Sequence, residues 1–339
     1  MNMKRLFVYA LPLMLALPVL RAADTLDVYV IDTEGGKSLV VKSPGGESML
    51  VDAGNPTRDD RDTKRIISAA QEMGIKQFDY ILCTHYDGDH VANITNVDVQ
   101  IPGKVFVDHG QPLPTATVAS DVRDYANYLK LVGSRKRIIV KPGDMVPLKG
   151  VDITVVTANG EVLPKSLPGA GQPNEFAAGV KPEPIDDWDN AGSIGLLYQF
   201  GKFRMLDLAD LLQCMECKLM SPNNPIGSVD LFMVSHHGLK LSNSKMLVHA
   251  IHPKVAIMNN GPRKGGEAQV FDVLKSSPGM VDIWQAHFSP TAAAKNSPAD
   301  FIANQTDPCE GKSIKVSAQS DGTFTVTNLR NGFSKTYKP

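Results

Sequence analysis

The chain has 339 residues, a formal charge of −1, 42% hydrophobic residues and 21% charged residues. These values are ordinary for a globular protein and allow a large core, in one large domain or two smaller ones. They exclude a bulk basic field that would gather nucleic acid or anionic membranes, so no stable nucleic-acid complex is expected, although a phosphodiester substrate is neither favoured nor rejected.

The first residues read as an export signal. Met1-Asn2-Met3-Lys4-Arg5 is basic, Leu6 to Leu20 is apolar, and the small residues Ala22 and Ala23 follow. That order is the pattern of a secretory signal peptide over 1–23, with an uncleaved anchor as the alternative. A periplasmic or secreted protein, free of the membrane after cleavage, is the expectation. Export would place the four cysteines in an oxidising compartment. Cys83 ends an apolar strand and reads as an inert core thiol. Cys214 and Cys217 have CxxC spacing without the second pair a zinc ribbon needs, so helix packing is the reading there. Cys309 falls in a late loop with no partner assignable from sequence.

Strands are predicted at Leu26–Ile31, Ser38–Lys42 and Ser48–Val51, with Glu34-Gly35-Gly36-Lys37 turning between the first two. Arg58–Met73 has the spacing of an amphipathic helix, with Ile66, Ile67, Ala70 and Met73 on one face. Phe78–Cys83 is the next strand. Further strands are predicted at Lys104–Val107, Arg137–Val140 and Val151–Val156, and a helix at Val118–Val132. The segment 159–189 is rich in Pro and Gly and lacks periodicity. A loop of that length in a compact protein points to a lid or binding loop, and a place beside the active site is expected. Strands then follow at Ser193–Phe200, Phe203–Leu208, Val229–Val234, Val255–Met258 and Val281–Gln285. Helices are expected after Asp210, at Ser242–Ile251 and at Ala268–Ser276. Ser313–Ala318 and Thr323–Asn328 around Asp321-Gly322 form a C-terminal β-hairpin. Strands first, then helix and strand alternating twice, imply an α/β protein of two packed sheets flanked by helices.

The chemistry concentrates after Phe78–Cys83. Thr84-His85-Tyr86-Asp87-Gly88-Asp89-His90 holds two histidines and two carboxylates in six positions. His85 and Asp87, at i and i+2 of a strand end, can face one ion, and Asp89 and His90, beyond a glycine turn, can face a second. A helix cap would need one acid and explains neither histidine. Asp210, His236 with His237, and His109 stand at other predicted strand ends. Such ends can meet at one edge of a sheet, although singly Asp210 also reads as a helix cap and His109 as a loop histidine.

These segments together resemble the metallo-β-lactamase fold superfamily, and most closely the hydrolase domain of ComEC-type competence proteins. The matching stretches are Val30 to Ser38, Leu50-Val51-Asp52-Ala53-Gly54, the HxHxDH-like Thr84 to His90, Phe203 to Leu211 and Val229 to Gly238. The resemblance implies a four-layer αββα sandwich over 24–339 as one domain. It implies two divalent metal ions, with zinc first and manganese second. His85 and Asp87 would bind the first ion. Asp89 and His90 would bind the second, completed by His236 or by His237. Asp210 would bridge both, and Asp52 would orient a ligand from behind. His109 is the candidate for the first ion's missing ligand, and His287 a weaker one. Asp87 stands where the motif has a histidine, which makes manganese credible. Ala209 replaces a glycine, and Arg263-Lys264-Gly265-Gly266 replaces a histidine-proline pair.

The implied activity is hydrolysis by a metal-activated water held by Asp89 and Asp210, on a phosphodiester-type substrate. His237, Tyr86 and His287 are the side chains able to protonate a leaving group. Lactone, amide or thioester hydrolysis at the same site is the alternative. An exported, non-catalytic binding protein of this fold is a third reading.

Overall fold

The computed structural model describes residues 25–179 and 184–339; the signal-peptide expectation for 1–23 lies outside the described residues. No helix among the described residues is long and apolar enough to cross a membrane. Two large mixed sheets pack face to face. In spatial order the first runs Ser334–Tyr337, Phe324–Asn328, Ile314–Ala318, Leu26–Val30, Leu39–Lys42, Ser48–Val51, Phe78–Leu82, Gly103–Asp108 and Lys136–Ile139. The second runs Ile302–Asn304, Asp282–His287, Val255–Met258, Leu231–Met233, Phe203–Asp207, Gly195–Phe200, Asp152–Ala158 and Met145–Val146.

The alternation of each strand decides the layers. Val28, Val30, Val41, Met49 and Val51 point from the first sheet into a core shared with Ile153, Val155, Leu196, Met205 and Ile257 of the second. The opposite face of the first sheet, with Tyr29, Val40, Leu50, Ile81 and Phe106, is covered by the helices Arg61–Glu72, Ile94–Gln100 and Ala119–Val132. The opposite face of the second, with Leu197, Leu206, Phe232 and Ala256, is covered by Gln213–Met220, Lys245–Ile251 and Ala268–Lys275. The result is an α/β four-layer αββα sandwich.

Most predicted elements fall within a few residues of their observed bounds. The first helix begins at Arg61 rather than Arg58, because Asp60 adopts a left-handed conformation that starts no helix. The expected hairpin forms, Ile314–Ala318 against Phe324–Asn328, and Ser334–Tyr337 adds a further strand beside it. Ile302–Asn304 was not anticipated; its three residues pair with Asp282–His287 and are too few to show a period.

Candidate metal centre

The parallel strands of both sheets bring the chemistry to one edge. Ser48–Val51, Phe78–Leu82 and Gly103–Asp108 run parallel, and so do Phe203–Asp207, Leu231–Met233, Val255–Met258 and Asp282–His287. Asp52, His85, Asp210, His236, His237 and Asn259 all lie just past the carboxyl ends of these strands. Backbone there must turn sharply. Asp52, Ala209, His236 and His237 have positive φ angles of 58°, 50°, 52° and 54°, a costly conformation for residues with a Cβ.

His85, His90 and Asp210 offer ligand atoms within 4.8 Å of one another, and Asp89, His90 and His237 form a second such group. His90 therefore lies between the two groups. Asp210 Oδ2 is 3.2 Å from His90 Nε2, 3.1 Å from His237 Nε2 and 3.6 Å from His236 Nε2. Asp89 Oδ2 is 3.2 Å from His237 Nε2.

The outer ring nitrogens are held from behind. His85 Nδ1 lies 3.0 Å from the Thr84 hydroxyl, which itself donates to Asp52 at 2.8 Å. His90 Nδ1 donates to Asp52 at 2.9 Å, His236 Nδ1 meets Ser242 at 3.2 Å, and His237 Nδ1 meets the Asn259 amide at 3.2 Å. These contacts fix each ring and turn its Nε2 inward. His85 Nε2, His90 Nε2, His237 Nε2 and Asp210 Oδ1 are all buried and make no well-aligned hydrogen bond, although Asp210 Oδ2 stands 3.2 Å and 3.1 Å from His90 and His237. Buried polar atoms are rarely orphaned, and four converging on one space fit divalent cations of the zinc and manganese class.

The electrostatics agree. Burial opposes a charge on His90, yet the carboxylates of Asp210, Asp52 and Asp89 outweigh it and hold its pKa well above the usual value. Burial would raise Asp210, but His237, His90 and His236 pull it well below the carboxylate range. A field that holds a proton in the cage also attracts a cation. His236 differs: burial pushes it down to about 4 against the pull of Asp210, so its imidazole is neutral at pH 7.

The structure brings His85, Asp89, His90, Asp210, His236 and His237 together and places Asp52 behind His90. Of the paired histidines, His237 is the nearer to Asp89 and Asp210. Asp87 borders the first group at His85: its Oδ2 is 3.7 Å from His85 Nε2, and its Oδ1 accepts the Asp189 N–H at 3.3 Å. His109 belongs to neither group, although its Nδ1 is buried without a hydrogen-bond partner. Its ring packs on Tyr86 with centroids 4.7 Å apart, and its Nε2 meets Asp189 at 2.9 Å. Tyr86 is also committed elsewhere, donating to the Gly110 carbonyl at 2.6 Å. His287 lies with Asp32 and Cys309, outside both groups.

Three residues beside the cage escaped the sequence reading. Asp189, at the end of the long loop, accepts from the Tyr86 N–H as well as meeting His109, so it ties that loop to the ligand segment. Asp121 is buried beside Asp87, and burial together with that charge pushes its pKa up to about 8. Lys264 donates to Asp89 Oδ2 at 2.5 Å. The adjacent glycine explains how it gets there: a Cβ on Gly265 would lie 2.0 Å from the His237 carbonyl, so only glycine lets this loop rest on the histidine pair. The Arg263-Lys264-Gly265-Gly266 run was the available signal.

The metallo-beta-lactamase superfamily model matches residues 31–111, the stretch from the first strand end through the ligand loop to His109. Similar solved structures include YhfI from Bacillus subtilis, a metallo-beta-lactamase fold protein. It is 13% identical, with 77% of this chain and 96% of that one covered and a TM-score of 0.47. Igni18, a metallo hydrolase from Ignicoccus hospitalis, is 12% identical over 78% of this chain and 96% of its own, with a TM-score of 0.42. A diphosphatase from the PhnP family is 14% identical over 76% and 94%, with a TM-score of 0.40. Comparison with curated proteins gives no match. The fold is the αββα sandwich of the metallo-β-lactamase type, with a histidine and aspartate cage at its strand ends.

Proposed function

We propose that this chain is an exported metal-dependent hydrolase acting on a phosphodiester-type substrate. The observation that carries the reading is the set of four buried ligand atoms on His85, His90, His237 and Asp210 that converge without a well-aligned hydrogen bond. Asp89, His90 and His237 would hold one ion and His85 with Asp210 would stand towards a second, because the single lone pair of His90 Nε2 serves one ion, with His236 reaching Asp210 from outside. Two divalent cations supply Lewis acidity and lower the pKa of a water towards neutrality. Asp89 and Asp210 are the carboxylates placed to orient that water. Asp52 and Thr84 hold the rings of His90 and His85. Lys264 adds a positive charge at the mouth, which favours an anionic substrate over a neutral one.

One observation favours lactone, amide or thioester hydrolysis instead. A cavity of about 770 Å³ lined by Phe176, Leu212, Leu241, Met246 and Val270 includes Ser242, the partner of His236. Such a space suits an acyl chain. A substrate panel decides between them. Metal-loaded protein is expected to hydrolyse bis-(p-nitrophenyl) phosphate, with Lys264→Ala raising KM for it. Activity on lactones or thioesters alone would overturn the phosphodiester reading, and absence of bound metal would leave a binding protein of this fold.

A further inference from the structure

Asp32, His287 and Cys309 form a separate cluster. Their ligand atoms lie within 4.8 Å of one another. Asp32 and His287 are buried, and Cys309 is a half-buried free thiol. His287 Nε2 is 2.9 Å from Asp32 Oδ2, Cys309 Sγ is 3.4 Å from that same oxygen, and Sγ is 3.7 Å from Nε2.

A catalytic relay would place the thiol and the carboxylate on opposite nitrogens of the imidazole. Here both face Nε2, so the three atoms close a triangle around one point. Tetrahedral zinc, with ligands at about 2.0–2.3 Å, sets neighbouring ligand atoms about 3.3–3.8 Å apart. The two edges to sulfur fall in that interval and the third is slightly shorter. A thiol, an imidazole and a carboxylate are also a zinc donor set. Glu34 Oε1, 3.7 Å from Sγ, stands near enough to supply a fourth ligand. Arg65 supports the acids, donating to Asp32 Oδ2 at 2.8 Å and to Glu34 Oε1 at 3.0 Å.

We propose that Asp32, His287 and Cys309, with Glu34 or a water in the fourth position, bind a structural zinc ion distinct from the hydrolytic pair. The site would join the Glu34-Gly35 turn after the first strand to the segment before the C-terminal strands. That turn packs on the Lys264 loop: a Cβ on Gly261 would lie 2.3 Å from the Glu34 carbonyl oxygen. Zinc binding would therefore brace the loop that carries Lys264. On binding, the Cys309 S–H bond breaks, the sulfur pair is donated to zinc and the proton passes to solvent.

Cobalt gives a readout independent of hydrolysis, because a thiolate ligand produces a near-ultraviolet charge-transfer band and neither group of the main cage contains a cysteine. Metal-free mature protein titrated with cobalt is expected to show that band. The band should be lost in Cys309→Ser and His287→Gln, and retained in Asp210→Asn and in the Cys214→Ser/Cys217→Ser pair. Zinc-loaded wild type should hold one equivalent more metal than Cys309→Ser. Absence of the band, its persistence in folded Cys309→Ser, or equal metal content in the two proteins would overturn the proposal. Circular dichroism establishes that each variant is folded, and His287→Gln gives the same reading should Cys309→Ser fail to fold.

Discussion

At the scale of single residues, the cage depends on groups that stand behind its rings. Asp52 holds a positive φ of 58° so that its carboxylate can reach His90 Nδ1 at 2.9 Å while taking the Thr84 N–H and hydroxyl, each at 2.8 Å. Removing the negative charge frees the His90 ring and weakens its basicity towards a cation. Asp52→Asn is therefore expected to lower affinity for the tighter metal about 10- to 100-fold while the protein stays folded. Chelator competition measures this, and unchanged affinity would show that Asp52 only supports the backbone. Ala209 is a related case. It stands where the resembling motif has a glycine, and at φ 50° it carries strain at the residue before Asp210, with its N–H held by Asp207 at 3.1 Å. Residue identity announced the ligands; it could not announce backbone strain, which depends on where the chain turns.

Among elements, the helix Gln213–Met220 shows how polar burial shapes the surroundings of the histidine pair. Glu216 is buried, and its carboxylate accepts the Asn243 N–H at 2.6 Å and the Ser244 N–H at 2.8 Å. Desolvation by burial outweighs these bonds and pushes its pKa up to about 7. An acid whose folded pKa is raised stabilises fully below its unfolded value and loses that contribution as pH climbs through the folded one. Wild-type stability is thus expected to fall between about pH 4.5 and pH 7 through this group, by at most about 3 kcal/mol. Glu216→Gln should be less stable than wild type at pH 5, and the gap should narrow by pH 8. Denaturant unfolding across that range is the check, and a gap that stays constant would remove Glu216 as the cause. Asn243, whose side-chain oxygen accepts the Ser235 N–H at 2.9 Å, links this helix to the strand end bearing His236.

Elements were also where the sequence spoke most clearly. Alternation in Leu26-Asp27-Val28-Tyr29-Val30 and helical spacing in Ile66, Ile67 and Ala70 report burial directly, because those faces are apolar in the fold. His85, Asp89, His90, Asp210 and His237 were legible because buried polar side chains at strand ends have few bland uses. That His109 joins neither group has a physical origin. One position past a strand end does not fix which way a ring points, and Asp189, from a loop without periodicity, claims its Nε2. Lys264 and Asp121 were missed for the same reason: each reaches the site through tertiary packing rather than through its local pattern.

For the whole molecule, the two sheets are joined across their shared core by more than apolar contact. Lys37, in the turn region of the first sheet, donates to Asp207 of the second at 2.5 Å, and both side chains are 3% exposed. Asp207 also holds the Ala209 N–H, so this pair connects the opening turn to the strand that presents Asp210. Lys37→Met would leave a buried, uncompensated carboxylate and is expected to cost about 3–5 kcal/mol. Thermal and denaturant unfolding measure the loss, and Lys37→Met with Asp207→Leu should recover much of it. A loss below 1 kcal/mol in the single variant would mean that the pair contributes little to holding the sheets together.

In the proposed function, the His85, Asp89, His90, Asp210 and His237 cage binds two divalent cations and hydrolysis depends on them. The decisive measurement is metal content together with bis-(p-nitrophenyl) phosphate hydrolysis, during metal titration of chelator-stripped Cys309→Ser protein. Activity is expected to rise with bound metal, to level at two equivalents, and to be absent in the same protein carrying Asp210→Asn. Hydrolysis that survives stripping, or a cage that takes up no metal, would contradict that function.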